Sequence, residues 1–278
     1  MKTIKVALAS LLLLTIAIVY SCQKDNSNTL RSKSESLSLL TPAEQALLNK
    51  LESIAPAKSR AMDEKTKKVI GADCTGAVEG AAAGSIFGPW GAAIGAVIGA
   101  AGASLTASAS IANPGTTGGG IGQGNPANPF DELGVHHNAY LSINVPGYAC
   151  NGGCNPLVYG LGENYVSANM GLDPTPYQPV LFPAINEVYD LVNNLENTDI
   201  PEILNQLLQN GRITPVQAAT TTLYYNTVLS QPQESFFAAS VQFENEVINS
   251  GISEDDKNAI LAGLAVGRYS YGFWTGGN

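Results

Sequence analysis

Residues 76–111 read GAVEGAAAGSIFGPWGAAIGAVIGAAGASLTASASI. Glycine recurs every fourth residue in two registers, Gly76, Gly80, Gly84 and Gly88, then Gly91, Gly95 and Gly99, and Ala103 and Ala107 continue the second. Residues four apart share a helix face, so each register leaves a groove almost free of side chains. Each glycine forfeits up to about 1 kcal/mol of helix propensity relative to alanine. A chain that repeats the sacrifice is built for a second helix lying close along the groove, as in small-xxx-small packing. Pro89 disfavours a helical Gly88, so the stretch is predicted to be a helical hairpin with arms at about 75–87 and 90–111.

Three readings of this hairpin follow. A helix apolar on all sides is a buried core or a membrane span; the third reading is a low-complexity linker without fixed structure. The second arm, about 33 Å long at 1.5 Å per residue, is long enough to cross a bilayer core, whereas the first, at about 20 Å, is too short. The arms are mostly Ala and Gly, uncharged rather than strongly apolar, which weakens spontaneous insertion.

Working outward, charge is segregated. Residues 1–70 hold eleven Lys/Arg and six Asp/Glu; residues 71–278 hold three basic residues (Arg212, Lys257 and Arg268) and seventeen acidic ones, and the whole chain is at −9. No charged residue lies between Glu79 and Asp131. A body this acidic does not hold nucleic acid by phosphate neutralisation. It is also repelled by anionic headgroups, except through the uncharged stretch itself.

The N-terminal side reads as export and attachment. Residues 1–21 form a signal peptide, with Lys2 and Lys5 before an apolar run over 6–19. The run ends at Val19-Tyr20-Ser21-Cys22, which resembles the lipobox of bacterial lipoproteins and implies a lipid anchor on Cys22. Gln23, Lys24 and Asp25 then resemble the short signal that sends Bacteroidetes lipoproteins to the outer face of the outer membrane. Residues 22–40 are the anchor and a Ser-rich tether. Residues 41–70 hold a short helix opened by a capping box at Thr41-Pro42-Ala43-Glu44 and stopped by Pro56. A basic run follows (Lys58, Arg60, Lys65, Lys67, Lys68), either a solvated face or a headgroup anchor.

On the other side of the hairpin segment (71–112), residues 113–178 open with a Gly/Pro/Asn-rich loop and are expected to be loop-rich. They contain both histidines, His136 and His137, and the pair Cys150 and Cys154. In an oxidising compartment Cys150 and Cys154 are expected to close a small disulfide across Asn-Gly-Gly, leaving Cys74 free. The alternatives are a bridge from Cys74 to one of them, free thiols, or a zinc site with a histidine. The last is disfavoured because adjacent histidines rarely bind one ion; no metal and no cofactor is expected.

Residues 179–278 read as amphipathic helices. Thr214-Pro215-Val216-Gln217 is a capping box, Ser253 caps the last helix, and Asp255-Asp256 compensate its dipole. Arg268 with Tyr269, Tyr271, Phe273 and Trp274 is either core or a binding surface. There is no P-loop, dinucleotide fingerprint, nucleophile elbow or His-Glu-x-x-His, and an enzyme is not expected.

Two resemblances add to this. The run from Gly88 to Gly99 resembles the glycine-zipper core of class II bacteriocins, which implies a membrane-permeabilising hairpin; the large acidic body and the absence of a double-glycine leader depart from that family. Asn128-Pro129-Phe130-Asp131…Gly134-x-x-His137-Asn138, with Ala265-Val266-Gly267-Arg268-Tyr269-Ser270, resembles a family of Bacteroidetes surface lipoproteins, and implies no activity. The expected protein is all-α: a glycine-zipper hairpin plus a C-terminal helical bundle with a loop-rich middle. It is a non-enzymatic outer-membrane surface lipoprotein whose partner is a membrane, through the anchor and hairpin insertion. Pairing of the glycine grooves into a homo-oligomer, and a further protein partner, stay open. The alternative is a structural or partner-binding module whose hairpin is its core.

Overall fold

The computed structural model describes residues 40–54, 62–110, 123–144 and 155–276. Cys22, Gln23, Lys24, Asp25, Lys58, Arg60, Cys150 and Cys154 lie outside them. The described residues are all-helical: α1 (Pro42–Glu52), α2 (Glu64–Gly84), α3 (Pro89–Ser110), α4 (Asp131–Asn144), α5 (Asn155–Tyr165), α6 (Gln178–Val192), α7 (Ile200–Gln209), α8 (Pro215–Thr227), α9 (Gln233–Ile248) and α10 (Glu254–Thr275). Pro42–Asn278 forms one compact unit. Its centre is the α2–α3 hairpin, with α10 laid along α2, α4 and α5 against α3, and α6 against both arms.

The first arm is longer than its glycine pattern suggested. It begins at Glu64, where the Asp63 carboxylate caps the Thr66 amide, so Lys65, Lys67 and Lys68 belong to it. Neither reading of the basic run fits Lys67 and Lys68. Lys67 stacks over the Tyr225 ring, 4.2 Å from its centroid, and Lys68 donates to the carbonyls of Leu195 and Thr198 at 3.1 and 2.9 Å.

Glycine by glycine, the two registers face each other. A Cβ on Gly76 would run into the Gly99 carbonyl, one on Gly80 into that of Gly95, and one on Gly84 into that of Gly91; the reverse holds for each partner. The arms therefore close backbone to backbone, three rungs deep. Gly88 is the exception and corrects its assignment to the groove. It is the turn, at φ 81, ψ −169, a region essentially reserved for glycine, with nothing near its missing Cβ.

The linker reading is overturned, since both arms are regular helices. The second arm is long and apolar enough to cross a membrane, yet 94% of that window is buried inside the fold. Other helices fill what the zipper leaves open. The Tyr189 ring occupies the notch at Gly102 and its hydroxyl donates to the Ile98 carbonyl at 2.7 Å, while Val78 fills the notch at Gly263 on α10. With both registers matched inside one chain, the groove is not available to a second copy in this fold.

The middle differs from the loop-rich expectation. Residues 131–144 and 155–165 are helical, and a π-turn, Val166–Met170, extends the second to a left-handed Gly171. The C-terminal helices follow their caps closely. Thr214 and Gln217 form the reciprocal capping box and Ser253 caps α10. Asp256 does more than oppose a dipole: it accepts from Thr214 Oγ1 at 2.6 Å and Gln217 Nε2 at 3.0 Å, joining the starts of α8 and α10.

Candidate functional site

The chemistry-bearing side chains converge on two centres where α4 and α10 meet the hairpin. The first surrounds Asp73, an acid midway along α2 that is fully buried. Its Oδ1 contacts Ser104 Oγ of α3, and its Oδ2 accepts from Ser270 Oγ and, at 3.0 Å, from Trp274 Nε1 of α10. His137 of α4 brings Nε2 to 3.2 Å from Ser104 Oγ and 3.8 Å from Asp73 Oδ2. Its Nδ1 lies 3.3 Å from Asn138 Oδ1, and Asn138 Nδ2 donates to the Tyr269 carbonyl at 2.9 Å.

Burial raises the Asp73 pKa against the pull of His137 and the three donors. Burial likewise lowers that of His137 although Asp73 opposes it. Both shifts favour an uncharged network. The Asn138 amide is oriented by Tyr269, so its oxygen takes the proton of His137 Nδ1 and Nε2 is left as an acceptor. Ser104 O–H donates to Asp73 Oδ1, and the same hydroxyl lies 3.2 Å from Nε2. Each side chain in this chain of contacts has a polar partner, the arrangement a water-free interior favours.

Serine, histidine and aspartate here invite comparison with a nucleophilic relay. The bonding order is wrong for one: a relay needs the carboxylate on the imidazole nitrogen remote from the serine, whereas Asp73 contacts the serine itself and Asn138 holds that nitrogen. All three side chains are sealed from solvent. The arrangement orients helices and does not present a nucleophile.

The second centre surrounds Arg268, also without solvent exposure. Its Nε donates to Glu244 Oε1 at 2.8 Å, Nη1 to the Gln123 carbonyl and Nη2 to Asp131 Oδ1. Asn125 and Asn128 donate to Glu244 Oε2 at 2.8 and 3.1 Å, and Asn128 also to the Leu261 carbonyl. Tyr269 O–H reaches Asp131 Oδ2 at 3.2 Å. Desolvation opposes the guanidinium charge, but Glu244 and Asp131 outweigh it and raise its pKa. Arg268 and its aromatic neighbours are therefore core, not a binding surface.

These contacts explain the spacing of the middle motif. Asn128, Asp131, Gly134 and Asn138 each address α10: Asn128 through Leu261, Asp131 through Arg268, Gly134 by admitting the Tyr269 ring, and Asn138 through the Tyr269 carbonyl. The two histidines part company, His137 to the Asp73 centre and His136 to the Tyr165 hydroxyl at 3.3 Å. Cys74 is buried and unbonded, and burial pushes its thiol pKa upward, away from reactivity. Asp73, Ser104 and Glu244 escaped the sequence reading; the signal for Asp73 was an acid set among residues too small to shield it. No family model, curated protein or solved structure matches this chain.

Proposed function

We propose that this is a non-enzymatic lipoprotein of the outer-membrane surface, anchored through Cys22, in which the glycine hairpin is the core of a partner-binding helical domain. The observation that carries the reading is the engagement of the hairpin: Gly76, Gly80 and Gly84 are locked to Gly99, Gly95 and Gly91, and Tyr189 fills the next notch of the second arm at Gly102. Wholesale insertion of the hairpin into a bilayer would have to break those contacts. It would also carry Asp73 and Glu79 of α2 into hydrocarbon, where ionisable groups are costly. Membership of the Bacteroidetes surface lipoprotein family is part of the proposal. It is supported by the way its two motifs, around Asp131 and around Arg268, bond to each other across 137 positions.

The test is Gly95→Leu in the unanchored segment 42–278. The expected result is a large loss of thermal stability with no membrane present, and no dye release from liposomes by the wild-type segment. Dye release by wild type that Gly95→Leu abolishes would instead favour hairpin insertion. Mass spectrometry of the membrane-extracted protein tests the anchor, with acylation expected at Cys22 and lost in Cys22→Ser.

A further inference from the structure

The hairpin turn carries an apolar surface that the fold does not use. Ile86 is 68% exposed, Phe87 42% and Trp90 67%, so three of the six large exposed hydrophobic side chains among the described residues fall within five positions. They stand on a defined support. Ser85–Phe87 is a 3₁₀ turn closed by the Gly88 amide on the Ser85 carbonyl at 2.7 Å, and the Phe87 ring packs edge-on against Tyr177, 5.0 Å between centroids.

The geometry points to this tip, Ile86, Phe87 and Trp90, as a contact that seats the domain on the interface of a lipid bilayer. Charge selects the occupant. The tip lies in the stretch from Glu79 to Asp131 that has no charged residue, and the acids at its brace are Asp173, which caps Thr175, and Glu163, 3.5 Å from Gln178. The surrounding body is strongly acidic, so this is the part of it that meets a bilayer without desolvating an ion. Trp and Tyr beside Ile and Phe are the side chains that partition to the headgroup boundary.

The inference rests on the proposed anchoring in one respect. Nineteen residues separate Cys22 from Pro42, a reach of about 70 Å at full extension, so a lipidated chain keeps the tip near a bilayer and a weak contact suffices. Seating the tip leaves the hairpin closed and its rungs intact, in contrast to insertion.

The experiment uses the unanchored unit 42–278 with phosphatidylcholine vesicles, followed by tryptophan emission and cosedimentation at millimolar lipid. Trp90 is exposed and Trp274 is 1% exposed, so a change in emission reports the tip. The expected result is a blue shift, quenching by acyl-brominated lipid, and a roughly tenfold loss of vesicle partitioning in Ile86→Ser, as removal of one apolar side chain from a buried contact predicts. Ile143→Ser, at an equally exposed site on α4, leaves partitioning unchanged. Unchanged emission and no cosedimentation overturn the inference, as does an equal loss in both variants. Binding that requires phosphatidylglycerol overturns it too, because the acidic body should disfavour anionic vesicles. A lipid-free self-association that Ile86→Ser abolishes would assign the tip to a second copy instead. Failure of any of these leaves acylation at Cys22 untouched, and failure of acylation leaves the vesicle result standing.

Discussion

Glu79→Gln isolates the most unusual group in the hairpin. Glu79 sits on α2 with no solvent exposure, and neither carboxyl oxygen has a hydrogen-bond partner. Burial raises its pKa from 4.5 to about 8; Arg212 pulls it down and Glu187 pushes it up. The folded protein therefore binds a proton that the unfolded chain has released, and the sign follows from linkage. Below pH 4.5 both states are protonated and burial carries no ionisation penalty; stability then falls as pH rises and levels off above about 8. At about 1.4 kcal/mol per pH unit, the penalty is on the order of 3 kcal/mol at pH 7 and 5 kcal/mol above pH 8. Gln is close in shape to the neutral acid, with one more N–H donor, and does not ionise. Urea unfolding at pH 5, 7 and 9 should then show the variant close to wild type at pH 5 and more stable by several kcal/mol at pH 9. A wild-type-to-variant difference that stays constant with pH would refute the reasoning, because it would place the Glu79 carboxylate in contact with water or a cation.

Two further predictions follow from the buried centres. Asp73→Asn reproduces a protonated carboxyl, with its amide donating to Ser104 and its oxygen accepting from Ser270 and Trp274, so it should cost less than about 1 kcal/mol, whereas Asp73→Ala strands those donors and should cost several. A large loss in Asp73→Asn, measured by chemical denaturation at pH 7, would mean that Asp73 is ionised against a charged His137. Gly84→Ala and Gly91→Ala each push the arms apart at the same rung, so the double variant should lose less stability than the two single losses added together; additive losses would show that the rung is not closed.

Much of the local architecture was legible in the chain. The hairpin, its break near Gly88-Pro89, and the starts of the helices at Pro215 and Glu254 were readable because periodicity and capping act over four residues or fewer. The extent of the first arm was not, because residues 64–75 carry no glycine register and owe their helix to the Asp63 cap and to packing. Helix α4 read as loop for a different reason: its buried residues Leu133, His137, Tyr140 and Leu141 do share one face, but that face includes a histidine and Gly134 while Val135 and Ile143 stand exposed on the other, so hydropathy does not set the two faces apart.

What the sequence by itself determined is that two glycine faces would seek close helix partners. Which faces meet is a property of the folded chain. Gly80 against Gly95 depends on the length of one turn, Gly102 against Tyr189 on a helix 87 positions later, and Asp73 with Ser104, His137, Ser270 and Trp274 on four helices closing together. An acid in a helix of small residues carries no local sign of its partners. Burial and hydrogen bonding between distant segments are set only when the core excludes water, and that step made the hairpin a centre and left its tip exposed.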